Sequence, residues 1–248
     1  MSGLLEVCVD SVESAISAYK GGADRLELCS GLVIGGLTPT LAMFDEIKKR
    51  IPTPINVLIR PRFADFCYDE YEKQVILNEI KMFKKAGANG VVIGALLKNG
   101  ELDTEFIKEC VECARGIDVT LHRAFDVCKD PVKSLKQSIS LGVNTILTSG
   151  QESDCTKGRE LIKKLVELAD GKIDILVGAG VSDEIIKDMY EYTKAISYHM
   201  SGKIIKQSCM EYRKENVPMG IESLSEFEIY STDENKIRKA REVVDNIG

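Results

Sequence analysis

The chain has 248 residues, and its 39 acidic and 33 basic side chains leave a net charge of −6. Hydrophobic residues at 44% and charged residues at 29% are the balance of an ordinary folded domain, which excludes a disordered chain. The acidic excess, with no Lys/Arg stripe to offset it, argues against nucleic acid as a partner. No membrane partner is expected either, because the longest apolar run, Gly90 to Leu97, falls far short of the ~18 residues a spanning helix needs. The opening MSGLLEVCVD has no basic region and no extended apolar core, so no signal peptide is expected and the anticipated location is cytoplasmic.

Taken in chain order, short apolar runs rich in Val, Ile and Leu begin near Leu4, Arg25, Pro54, Gly90, Asp118, Thr145, Asp174 and Ala195. Their mean step of about 27 residues suits one strand, one helix and two loops. Asp10 with Glu13 resembles a capping box before the first helix, and Thr38-Pro39 supplies an N-cap and a first helical position for the second. Gly21-Gly22, Gly87 and Gly142 fall where helices should end. After the eighth run, residues 203–232 show no clear period. A loop this long in a compact domain is usually functional, and it is expected to pack at the C-terminal mouth or a subunit contact, with Arg213 facing the pocket. A last helix near Asp233 to Asn246 completes eight. Eight βα units in one unbroken stretch predict the α/β class and a single-domain (β/α)8 TIM barrel over residues 1–248.

Alternate residues of a barrel strand point inward, the others beneath the helices. Leu5, Val7 and Val9 share one face of the first run, so Glu6 and Cys8 take the other; Leu26 and Leu28 likewise turn Arg25, Glu27 and Cys29 inward. The same parity turns in Arg60 and Arg62 on the third strand, His122 on the fifth, Gly178 and Gly180 on the seventh, and Ser197, His199 and Ser201 on the eighth. Charged groups inside a barrel are costly unless paired or used, and most of these lie near C-terminal strand ends, where barrel active sites are built.

Arg60 and Arg62 offer guanidinium forks suited to a carboxylate or phosphate, or they neutralise Glu6, Glu27 or Asp65. Glu27 and His122 are the candidates for acid/base roles, with Glu6, Arg123 and Asp126 completing a pocket for a small anion. His199 has the weaker claim, since HMSG also suits a strand end. The small residues at Ser149-Gly150, Gly178 to Gly180 and Ser201-Gly202 suit either backbone contact with an anion or tight barrel turns. The eight cysteines are expected as free thiols, and Cys110 and Cys113, a lone CxxC within a helix, as packing residues. Cys8 and Cys29 share inward parity and similar depth on the first two strands. They read either as small buried hydrophobes or as a thiolate clamp for a soft ion such as Cu(I).

The segments EVCVDS (Glu6 to Ser11), GGADRLELCSGL (Gly21 to Leu32), GGLTP (Gly35 to Pro39), LIRPR (Leu58 to Arg62), HRAFD (His122 to Asp126) and LTSG (Leu147 to Gly150) resemble the CutC family, and MEYRKENVPMG (Met210 to Gly220) continues the likeness. The resemblance implies a cytoplasmic, homo-oligomeric TIM barrel, dimer or tetramer, implicated in copper homeostasis, with Cu(I) held by Cys8 and Cys29. Ala64 stands where the resemblance implies glycine. Two functions therefore stand side by side: a copper-binding protein using Cys8 and Cys29, and an enzyme acting on a small anionic substrate through Glu27 and His122.

Overall fold

Eight parallel strands close into one barrel in the computed structural model, which describes residues 3–247 other than 215, 218, 222 and 223. The strands are β1 (Leu4–Val9), β2 (Arg25–Leu28), β3 (Ile55–Leu58), β4 (Gly90–Ile93), β5 (Asp118–Leu121), β6 (Thr145–Thr148), β7 (Asp174–Val177) and β8 (Ser197–Met200). Their order around the barrel is their order in the sequence, and β1 pairs with both β2 and β8 to seal it. The helices outside are α1 (Val12–Lys20), α2 (Leu41–Lys48), α3 (Glu70–Ala86), α4 (Thr104–Ala114), α5 (Pro131–Leu141), α6 (Arg159–Ala169), α7 (Asp183–Thr193) and α8 (Glu234–Asp245). No helix among the described residues is long and apolar enough to cross a membrane.

The period-2 pattern of the strands decides the layering. Leu5, Val7, Val9, Leu26 and Leu28 are wholly buried in the core between strands and helices. Inside the barrel, Cys29 packs with Leu58 and Val92 in a small apolar cluster of its own. At Gly178 a Cβ would sit 2.6 Å from Leu147 Cδ1, so the leucine side chain would have to shift to admit one.

Gly87 and Gly142 end α3 and α5 in the left-handed conformation, as their positions suggest. Two helix starts differ from expectation. Ser11, not Asp10, caps α1, accepting from Ser14 N, while Asp10 accepts from Leu32 N across the barrel mouth. Thr40 caps α2, two residues beyond Thr38, whose hydroxyl instead accepts from Arg60 N and donates to Glu79. Both displaced residues bond across loops, so tertiary partners have outcompeted the local cap. Two strands also lie within 203–232, where a loop is expected. Lys203–Gln207 (β9) and Glu228–Thr232 (β10) form an antiparallel pair, and Tyr230, Ser231 and Thr232 reach the cavity described below.

Asp126 joins β5's end to β6's end. Its buried carboxylate accepts from Thr148 Oγ1 at 2.5 Å, from Ser149 N and Oγ, and from Arg123 Nε at 2.7 Å. Removing it would orphan several donors that water reaches poorly. Asp126→Ala is expected to cost about 3 kcal/mol in urea unfolding; a loss below about 1 kcal/mol would show that these bonds do not hold the two strand ends together.

Candidate functional site

The chemistry of the site begins at the barrel seam. In the register of β1, Glu6 stands opposite Arg25 on β2 and opposite His199 on β8. Its carboxylate is wholly buried. Oε2 accepts from Arg25 Nε at 2.5 Å and Oε1 from His199 Nδ1 at 2.8 Å. Burial alone would raise the pKa of Glu6, but the His199 hydrogen bond and the Arg25 charge outweigh it and hold the group below the usual carboxylate range. A carboxylate only accepts, so His199 donates through Nδ1 and its Nε2 is left facing Glu27 Oε2 at 3.7 Å.

One residue further along β1, Val7 packs outward; the next, Cys8, faces inward opposite Glu27. The Cys8 thiol, the Glu27 carboxylate and the His199 ring offer ligand atoms all within 4.8 Å of one another. Cys8 Sγ also donates to Met200 O at 3.5 Å. Burial, with the nearby Glu6 charge, pushes Glu27 up to about 7 against the opposing pull of His199 and Arg25. For His199 burial works downward, yet the proximity of Cys8 and Glu27 and the hydrogen bond to Glu6 raise it well above an ordinary histidine. Cys8 and His199 open onto a cavity of about 500 Å³ at the C-terminal mouth. Its wall takes in Arg123 from the loop after β5, Ala179 and Gly180 from the loop after β7, and Lys203 and Ser231 from the hairpin.

The remaining sequence candidates fall elsewhere. Cys29 does not share the depth of Cys8: it lies two residues beyond Glu27, roughly 6.6 Å along the strand. Its thiol donates to Val9 O at 3.5 Å, and burial, with the charge of Glu27, pushes its pKa far up. Arg62 is not inside the barrel. β3 ends at Leu58, the parity ends with it, and Arg62 pairs outside with Glu72 at 2.5 Å and Asp65 at 3.0 Å. Arg60 is buried, its two terminal nitrogens donating to the carbonyls of Gly35, Gly36 and Ala64 while its Nε has no partner among the described residues. Ala64 presents that carbonyl at φ 83°, a conformation glycine adopts without strain. Asp126 is spent on the strand ends, and Arg213 stacks on Phe227 at 4.6 Å instead of lining the cavity. All eight cysteines are free; Cys110 is buried in the core.

His122 is not among the residues that converge on Cys8. Its ring lies 4.8 Å from that of Phe66, whose other neighbour is the Arg60 guanidinium at 5.0 Å. Ala124 N donates to its Nδ1 at 3.0 Å. Burial first, then the Arg60 charge, lowers its pKa to about 3, so the ring is neutral near pH 7. The sign for stability follows. The unfolded histidine protonates near ~6.5 while the folded one resists to about 3, so stability is full above the first value and falls between them. Acidification from pH 6.5 towards 4 should therefore destabilise the wild type more steeply than His122→Asn, by up to about 1.4 kcal/mol per pH unit. Parallel unfolding curves for the two proteins would contradict a buried neutral His122.

His199 and Arg25 are the site residues that sequence reading underweighted. Both had inward parity, but nothing local marks residue 199 as the neighbour of residue 6 until the barrel closes.

Residues 3–204 match the CutC family. Over 245 residues, 98% of this chain and 90% of that protein, the chain is 41% identical to the human copper homeostasis protein cutC homolog. It is 45% identical over 243 residues to a family protein CutC of Parabacteroides distasonis, covering 96% of this chain and 99% of that one. Among solved structures, the putative copper homeostasis protein CutC of Streptococcus agalactiae superposes with a TM-score of 0.77 at 30% identity, covering 80% of this chain and 98% of that one. The chain belongs to the CutC family.

Proposed function

We propose that this chain binds copper as Cu(I) inside the barrel, with Cys8 and His199 as donors and Glu27 beside them. The convergence of those three ligand atoms within 4.8 Å, two of their residues on the cavity wall, carries the reading. Thiolate and imidazole are soft and borderline donors that favour Cu(I) over Mg²⁺ or Ca²⁺. The donor set fits in a second respect: Glu6 accepts from His199 Nδ1 and so orients the ring with Nε2 towards Cys8 and Glu27, where a metal ion would displace the Nε2 proton. The human relative's name points to copper homeostasis. A cytoplasmic, reducing setting is part of the same reading and is supported by eight unpaired cysteines. Self-association is supported by apolar side chains exposed on the segment after β8, among them Ile205, Met210, Tyr212, Met219 and Ile229.

The ion is assigned to the Cys8 cluster, not to a Cys8–Cys29 clamp, because Cys29 faces Leu58 and Val92. Titration of the reduced chain with Cu(I) should show about one ion per chain, abolished by Cys8→Ser. Replacing the ligand with His199→Gln, or its orienting partner with Glu6→Gln, should weaken binding roughly 10–100-fold. Cys29→Ser should bind as the wild type does. Retained binding in Cys8→Ser would reject the site, and equal loss in Cys29→Ser would return the ion to the thiol pair.

A further inference from the structure

The cavity is larger and more cationic than a metal ion needs. Among the described residues Asp10 is the single carboxylate on its wall, and one of its oxygens already accepts from Leu32 N at 3.2 Å. Against it stand Arg123 and Lys203. Arg123 is held in place from behind, Nε by Asp126 and Nη2 by Ser149 Oγ at 2.9 Å, which leaves the outer edge of its guanidinium towards the cavity. Lys203 lies 4.3 Å over the Tyr230 ring, and among the described residues its ammonium meets no carboxylate.

Two further features lie on the same wall. Ala179 and Gly180 are consecutive left-handed residues, φ 69° and 80°, leading into α7, and Ser182 at that helix's N-cap accepts no side-chain cap bond. Holding an alanine in this conformation is a strain that clusters at binding sites, and backbone N–H groups so turned suit an anion. Independently, the Ser231 hydroxyl on the cavity wall is 5% exposed and has no hydrogen-bond partner. Buried hydroxyls are normally paired, so this one is set for a group supplied from outside.

We infer that the mouth of the barrel takes a small organic anion, its phosphate or carboxylate end held between Lys203, Arg123 and the 179–181 backbone, with Ser231 donating to it. A volume of about 500 Å³ suits a small molecule. The body of the ligand would extend towards Cys8 and His199. This site does not depend on the metal reading, since none of its anion contacts is a copper donor.

The test uses metal-free, reduced full-length chain in low-salt buffer, with inorganic phosphate and acetate as calorimetric probes. One of the two ions should bind saturably at one site per chain. Lys203→Met, an exposed position whose change leaves the core untouched, should weaken that binding at least tenfold. Ser231→Ala should also weaken it while leaving the melting temperature unchanged or higher, because the lost hydroxyl had no partner. Tighter phosphate binding would identify a phosphate ester as the ligand class, tighter acetate binding a carboxylate. No saturable binding of either ion, or wild-type affinity in both variants, would overturn the inference. Lys203→Met should bind Cu(I) like the wild type in anion-free buffer, so failure of the copper site and failure of the anion site are read separately.

Discussion

Sealing the barrel between β8, β1 and β2 requires a carboxylate to leave water completely, and the rest of the site follows from how that is tolerated. A buried charge is sustained only by close partners that satisfy its lone pairs. Glu6 has two, one from each neighbouring strand: Arg25 at 2.5 Å and His199 at 2.8 Å. Of the two bonds that offset the charge of Glu6, the one from His199 also orients the ring and aims its Nε2 at Cys8 and Glu27. The seam of the fold and the base of the site are one structure, so a change at Glu6 acts on barrel closure and on ligand geometry together.

The interior handles its other ionisable groups differently on its two sides. Around the seam, opposite charges are packed into contact. Across the barrel, Arg60 donates to three loop carbonyls and lies over Phe66, and His122, also beside that ring, stays neutral. Cys29, Leu58 and Val92 fill the space on the β2–β4 side with apolar volume. The cavity lies on the seam side, over the paired charges, and the inert filling lies away from it.

Much of this was legible in the sequence because strands of a closed parallel barrel are short, regular and alternating. Each strand begins within two residues of an apolar run, and parity turned Glu6, Cys8, Glu27 and His199 to the correct side. Parity has limits that individual residues expose. It says nothing beyond a strand's last residue, which is why Arg62 lies outside, four residues past Leu58. It does not give relative height between strands: the β1–β2 register sets Cys8 against Glu27 and leaves Cys29 one interior layer away. Nor does it reveal seam partners, since Glu6 and His199 meet across 193 residues of chain. The hairpin after β8 escaped because its two strands are far apart in the sequence and lack the repeat spacing of the barrel.

The base and the mouth of the cavity are built from different materials, and that difference shapes what they can do. Cys8, Glu27 and His199 project from strands whose hydrogen-bonded register is set by closure, which suits a ligand demanding fixed distances. Arg123, Ala179, Lys203 and Ser231 belong to loops and a hairpin added at the strand ends, which suits recognition of a charge by several adaptable donors. The two occupants proposed for these regions would share one cavity. A cation bound at Cys8 makes the mouth more favourable for an anion, and the free energy of that coupling belongs to both. By linkage, whatever factor copper adds to the anion's affinity, the anion must return to copper. A metal site at the base of such a cavity is therefore one whose affinity a small anion at the mouth can set.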